Sequence, residues 1–145
     1  MAIKFYQERD APYGCFSNSS KHSFEVDGTP WQTVEHYFQA MKFAGTPHEH
    51  AIQIAPAPML AKQMGNDRAR PLRPDWDEDE VKDNVMRRAV RAKFEQTPNI
   101  RAVLLGTGDE ELIEDAPGDS YWGCGEMGTG KNMLGKILLE VRGAL

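Results

Sequence analysis

Two clusters in this sequence combine residue types and spacing that chemistry could use. Residues 125–132 read GEMGTGKN, in which Gly125, four intervening residues and Gly130-Lys131 follow the phosphate-cradling P-loop pattern. That pattern needs Ser or Thr after the lysine to bind magnesium, and this chain has Asn132. Residues 31–43 read WQTVEHYFQAMKF and form the second cluster. Glu35, Gln39 and Lys42 stand there at i, i+4 and i+7, so on a helix they share one face.

A nucleotide triphosphate site is a poor reading of the glycine stretch. A P-loop joins a buried strand to a helix inside a parallel sheet, and DAPGDSYWGC before it holds turn formers instead of a strand. Only 13 residues follow Asn132, too few for a later strand bearing a magnesium-binding aspartate. The loop physics still applies. Glycine-rich backbone turns N–H groups outward, and a helix starting near Asn132 adds unpaired donors, beside the cation of Lys131. The spacing fits an anion or sugar-phosphate cradle and equally a flexible turn capped by Asn132. Asp119 and Trp122, just upstream, bring a carboxylate and a flat ring suited to a heterocyclic base on a sugar phosphate.

The elements that must carry these groups are mostly helical. Thr33 is placed to cap a helix over TVEHYFQAMKF, with Gly45 after its end. Shorter helices are expected near 48–54 and from Pro58 to Met64, with Gly65 as a stop. A long helix follows Asp77 and Glu80, which suit a capping box, and presents Val81, Val85, Ala89 and Ala92 on one face. IRAVLL and NMLGKILLEVRGAL complete the helices, while IKFY, FEVDGTPW (bent at Asp27-Gly28) and ELIEDA read as short strands. The expected fold is mainly α with a few short β-strands, one domain over residues 1–145.

Composition narrows the function. An apolar fraction of 40% and a charged fraction of 27% are those of a globular protein. A net charge of −5 argues against coating nucleic acid. The N-terminus lacks a signal-peptide core, so Cys15 and Cys124 are expected as reduced thiols in the cytoplasm. No Cys/His spacing resembles a metal site, and neither metal nor organic cofactor is expected.

The remaining candidates have plain readings. Glu35 favours the start of its own helix by charge, yet the bulky residues around it predict burial, and a buried carboxylate needs a partner or a function. A lone helical His36 is more often packed than catalytic, and His48 and His50 flank a loop. Ser17, Ser19 and Ser20 lack a nucleophile elbow. Arg87, Arg88, Arg91 and Lys93 read as a solvated basic face, and Trp31 and Trp76 as core anchors. Arg68, Arg70 and Arg73 lie in a proline-broken loop where guanidiniums could gather on a phosphate, with ordinary surface charge as the alternative.

Several segments, in order along nearly the whole chain, carry a resemblance. They are CFSN (15–18), WQTVEHYFQAMKF (31–43), RPLRPDW (70–76), MRRAVRAKFEQ (86–96), DSYWG (119–123) and GKNMLGKILLEVR (130–142). With these the sequence resembles the YbiA-like family, also called NADAR for its inferred link to NAD and ADP-ribose. The resemblance implies a mainly helical fold with small β elements and an N-glycosidase. Its substrate would be a riboflavin-pathway ribosylamino-pyrimidine phosphate or an ADP-ribosyl-guanine in nucleic acid.

Carried over residue by residue, the resemblance implies Glu35 as the key carboxylate and Asp119 as a second catalytic group. It implies Trp122 as a stacking surface and matches Asn18, Lys42, Gly123 and Asn132 to the substrate site. Together with Arg70, Gly130 and Lys131 as phosphate contacts, these are the expected substrate-binding residues. The chain departs from its relatives at Cys124, where Asp is frequent, and at Met133, where Arg is common. A non-catalytic module binding ADP-ribose or a nucleotide is the alternative. It shares the cradle and differs only in the work done by Glu35 and Asp119.

Overall fold

The computed structural model describes residues 2–145. Six α-helices and four short strands among these residues make the fold mainly α, as expected. The chain forms two compact units, one from 1–20 with 94–145 and one from 21–93.

In the 21–93 unit, β2 (Phe24–Val26) and β3 (Thr29–Trp31) pair as an antiparallel hairpin. Its two-residue turn is Asp27-Gly28, with φ of 53° and 79°. Both angles are positive, as the tight hairpin turn that matches strand twist requires. The hairpin feeds α1 (Val34–Met41), capped by Thr33, whose hydroxyl accepts from the His36 amide at 3.1 Å. Two helices started by proline follow, α2 (Pro47–Gln53) and α3 (Pro58–Gly65), and both pack on α1. Trp31 and Trp76 are core residues as read, with Trp31 edge-on to Tyr37 and Trp76 edge-on to Phe38.

The long helix α4 (Asp79–Gln96) starts two residues after Asp77, so the expected capping box is not where the helix begins. Of the expected stripe, Ala89 and Ala92 are buried, whereas Val81 and Val85 are only partly so. Met86, Ala89, Val90, Lys93 and Phe94 are interior, because Met86, Val90 and Phe94 put the larger side chains at helical spacing. Lys93 is only 1% exposed, which corrects its place in a solvated basic face. After burial, its charge helps hold His22 below the ordinary histidine range. Arg88 does face outward and pairs with Asp27 at 2.7 Å.

In the other unit, β1 (Ala2–Phe5) runs parallel to β4 (Glu111–Glu114), Ala2 opposite Glu111. A two-stranded ribbon is marginal alone and needs a covering element. Helix α6 (Met133–Ala144) supplies it, burying Leu134, Ile137, Leu138 and Val141. Helix α5 (Pro98–Gly106) adds Ile100 and Leu104, and Phe16 meets Phe5 edge-on and Phe94 at a tilt. Pro98 is the first residue of α5, where its missing N–H costs nothing.

The contact of α6 with β4 is set by two residues. Asn132, the N-cap in left-handed conformation (φ 51°), accepts from the Glu114 amide and donates to the Leu112 carbonyl, each at 2.9 Å. Its amide thereby acts as a further strand residue along β4. At Gly135 a Cβ would overlap the Leu112 carbonyl and the Asn132 amide. Gly135→Ala would ordinarily favour a helix, but here it forces α6 off β4. We expect a loss of about 1–3 kcal/mol, read as a lower urea midpoint at unchanged m. A variant as stable as the parent would refute this packing account.

Candidate active site

Helix α1 positions the polar stripe. Val34, Tyr37, Phe38 and Ala40 anchor it in the core, so Glu35, Gln39 and Lys42 lie along the side that meets α3. Gln39 is 4% exposed and Lys42 7% exposed, whereas Glu35 keeps partial solvent access. Gln39 Nε2 donates to Glu35 Oε2 at 2.7 Å. Burial lifts the Glu35 carboxyl above its ordinary range, opposed by that hydrogen bond and by the charges of Lys62, Lys42 and His36.

Lys42 is a desolvated cation. Its Nζ reaches Asn66 Oδ1 at 3.1 Å and the Gly65 carbonyl at 3.5 Å, and lies 5.8 Å from the Phe38 ring centre. Burial first, then the neighbouring Arg68 cation, brings it down from 10.5 to about 8, with Glu35 pulling the other way. Arg68 Nη2 donates to the same Gly65 carbonyl at 2.8 Å. Two cations therefore meet at one oxygen, with Lys62 also within electrostatic reach of Lys42 and Glu35.

The arginine loop resolves into different roles. Arg70, expected on phosphate, is paired with Asp67 at 3.0 Å and donates to the Met64 carbonyl, so its charge is offset within its own loop. Arg73 grips Asp75 through two hydrogen bonds and donates to the Met41 carbonyl, closing the loop on the end of α1. Arg68 alone of the three hydrogen-bonds only carbonyls, those of Gly65 and Asn66, among the described residues. His36 is 0% exposed and lies between Thr33 Oγ1 and the Ala55 carbonyl, a packed residue as read.

The glycine stretch is not the cradle that its spacing suggests. The amides of Gly130, Lys131, Asn132, Met133 and Leu134 donate to the carbonyls of Cys124, Ser120, Gly123, Tyr121 and Trp122 at 2.6–3.0 Å. The donors expected to point outward are thus engaged inside the loop. Gly123 and Gly130 are glycines for close approach, since a Cβ at Gly130 would lie 2.7 Å from the Gly123 carbonyl oxygen. With its side chain on β4 and its amide on Gly123, Asn132 positions the helix and has no polar group left over. Lys131 Nζ lies 5.1 Å from the Tyr121 ring centre, and Glu126 shares its surface depression, opposing an anion there.

Asp119 Oδ1 accepts from the Tyr121 and Trp122 amides at 3.0 and 2.9 Å, forming a local turn. Trp122 is half-buried and edge-on to Tyr121. Asn18 Oδ1 is buried with no donor among the described residues. Partial burial, then the Asp115 carboxylate 3.6 Å away, raises the Cys124 thiol, so it is no thiolate nucleophile at neutral pH. Lys62 is the residue near Glu35 and Lys42 that the sequence reading did not single out, while Gln39 was named in the stripe and Arg68 among the loop arginines. For Gln39 the signal was present in the i, i+4 step from Glu35.

A family model described as "NADAR domain" matches residues 4–145. The chain is 48% identical over 140 residues to N-glycosidase YbiA of Escherichia coli (strain K12), covering 97% of this chain and 86% of that protein. It is 37% identical over 155 residues to a chloroplastic riboflavin biosynthesis protein PYRR of Zea mays, of which it covers 24%. The NMR structure of the E. coli protein YbiA matches with a TM-score of 0.90 at 46% identity, over 99% of this chain and 84% of that one.

Replacing the buried cation tests its environment. The native Lys42 titrates near 8 and its unfolded counterpart near 10.5, so the unfolded chain binds more protons between those values. Stability of the parent therefore rises with pH across that window. Lys42→Met should be the more stable protein at pH 7, and its advantage in urea unfolding should shrink by pH 10. An advantage that stays constant would mean that Lys42 is not desolvated.

Proposed function

We propose, for a chain that belongs to the NADAR domain family, that its N-glycosidase chemistry is carried by Glu35 acting on a ribosyl phosphate. The protein is a hydrolase of N-glycosyl bonds, as its relatives named N-glycosidase are. The observation that carries the proposal is the Glu35 carboxyl on α1, lifted by burial and faced by Lys62 and Lys42.

Cleavage of a ribosyl C–N bond passes through an oxocarbenium-like state, with positive charge on the sugar and the electron pair on the departing heterocycle. An ionised carboxylate beside the anomeric carbon stabilises that charge and takes a proton from the attacking water. The water oxygen then bonds to the anomeric carbon, and the released nitrogen ends with a proton. A desolvated carboxylate suits this task better than a solvated one, because its field is less screened.

Phosphate recognition is assigned to Arg68 and Lys62 with Lys42, cations near Glu35 for which no ion pair is formed among the described residues. This moves it from Arg70 and the glycine stretch. Asp119, Asn18 and Trp122 keep, as part of this proposal, the substrate roles that the family resemblance gives them, and Asn18 Oδ1 is a buried acceptor without a donor among the described residues. The maize relative is named a riboflavin biosynthesis protein, which supports a ribosylamino-pyrimidine phosphate of that synthesis as the substrate.

The test is incubation with a ribosylamino-pyrimidine phosphate and, separately, with ADP-ribosylated guanine DNA, reading released base by mass spectrometry. We expect release from the first, and release only from the second would reassign the substrate. Glu35→Gln should lower kcat by about a hundredfold or more at unchanged circular dichroism. Near-parental turnover in that variant would remove Glu35 from the chemistry.

A further inference from the structure

The amide of Gln39 is engaged on one side and constrained on the other. Nε2 donates to Glu35 Oε2 at 2.7 Å, while Oε1 is buried without a donor among the described residues. Leaving a buried acceptor unpaired is costly, because its lost hydration is not repaid. The Oε1 atom lies against Gly65, where a Cβ would overlap it and would come within 2.7 Å of the amide carbon.

Gly65 was read as a helix stop, yet it is the last residue of α3 and its φ is not among the positive ones. Backbone freedom therefore does not require glycine there. Even in the last turn of a helix, glycine is a weaker helix former than alanine. What it provides here is room for the Gln39 amide. Two unfavourable choices on two helices thus converge on one hydrogen bond to Glu35.

We propose that Gln39, with its amide held by the bare Gly65 of α3, is the positioning residue that fixes the Glu35 carboxylate and keeps it ionised in its buried setting. The inference rests on Glu35 being the working carboxylate, and it adds the pair that sets its state. The charged groups reaching Glu35 are Lys62 from α3 and Lys42 and His36 from α1 itself. On α2, Glu49 accepts from the Gly45 amide at 2.9 Å, and β3 holds no charged residue. Gln39 is the neutral donor in this set, so its removal withdraws a hydrogen bond to the ionised form while the cations stay. The Glu35 midpoint must then move up.

The experiment compares the parent with Gln39→Met, which keeps volume without the donor, and Gly65→Ala, which crowds the amide from the other helix. The Glu35 carboxyl is followed by 13C NMR of protein labelled at glutamate, assigned with Glu35→Gln, beside the pH profile of kcat/KM. Both variants should raise the NMR midpoint, Gln39→Met by about one pH unit. They should carry the acid limb of kcat/KM with it and lower the rate below that limb about tenfold. The double variant should shift the midpoint no further than Gln39→Met, because the two act through one bond. An unmoved midpoint in both variants overturns the proposal, whatever happens to activity. A moved midpoint in a protein that cleaves neither ribosyl substrate supports the positioning role and refutes the activity assigned to Glu35. Gly65→Ala also covers the case in which Gln39→Met does not fold.

Discussion

Removing charge from water is the constraint on which the site depends. A carboxylate and an ammonium share one side of α1, and both are held where hydration is poor. Each alone would favour its neutral form. They remain useful as charges because opposite charges and hydrogen bonds meet them: Gln39 and two lysines at Glu35, Asn66 and a carbonyl at Lys42. Much of the 21–93 unit serves that arrangement. The hairpin delivers the Thr33 cap, Trp31 and Trp76 grip the aromatic residues of α1, and Arg73 closes the loop after α3 on its end.

Helices and the hairpin were legible because their signals are local. Thr33 and Pro58 mark helix starts, and Asp27-Gly28 marks the turn. The stripe of Glu35, Gln39 and Lys42 was legible from spacing, and its burial from the aromatic residues around it. What was not legible is where each polar group finds its partner. Arg68, Arg70 and Arg73 look alike in a sequence, and only the fold gives Asp67 to one and Asp75 to another.

The glycine stretch teaches the same lesson more sharply. Its spacing suggested outward amides, an inference about backbone direction that composition cannot support. In the structure those amides face the carbonyls of residues 120–124. Glycines at 123, 130, 135 and 65 are present because another atom lies where a side chain would begin. A stop, a hinge and a close approach all appear in sequence as the same letter.

The stitched loop has a consequence for how the protein tolerates change. Five hydrogen bonds fasten residues 120–124 to 130–134 at its neck, while its tip holds Met127, 82% exposed, and Gly128 with nothing near it. The tip lies beyond the fastened part, so lengthening or trimming it need not disturb the start of α6. This is ground on which related enzymes can diverge, and a place where a tag or probe can be inserted while β4 and its helix keep their register.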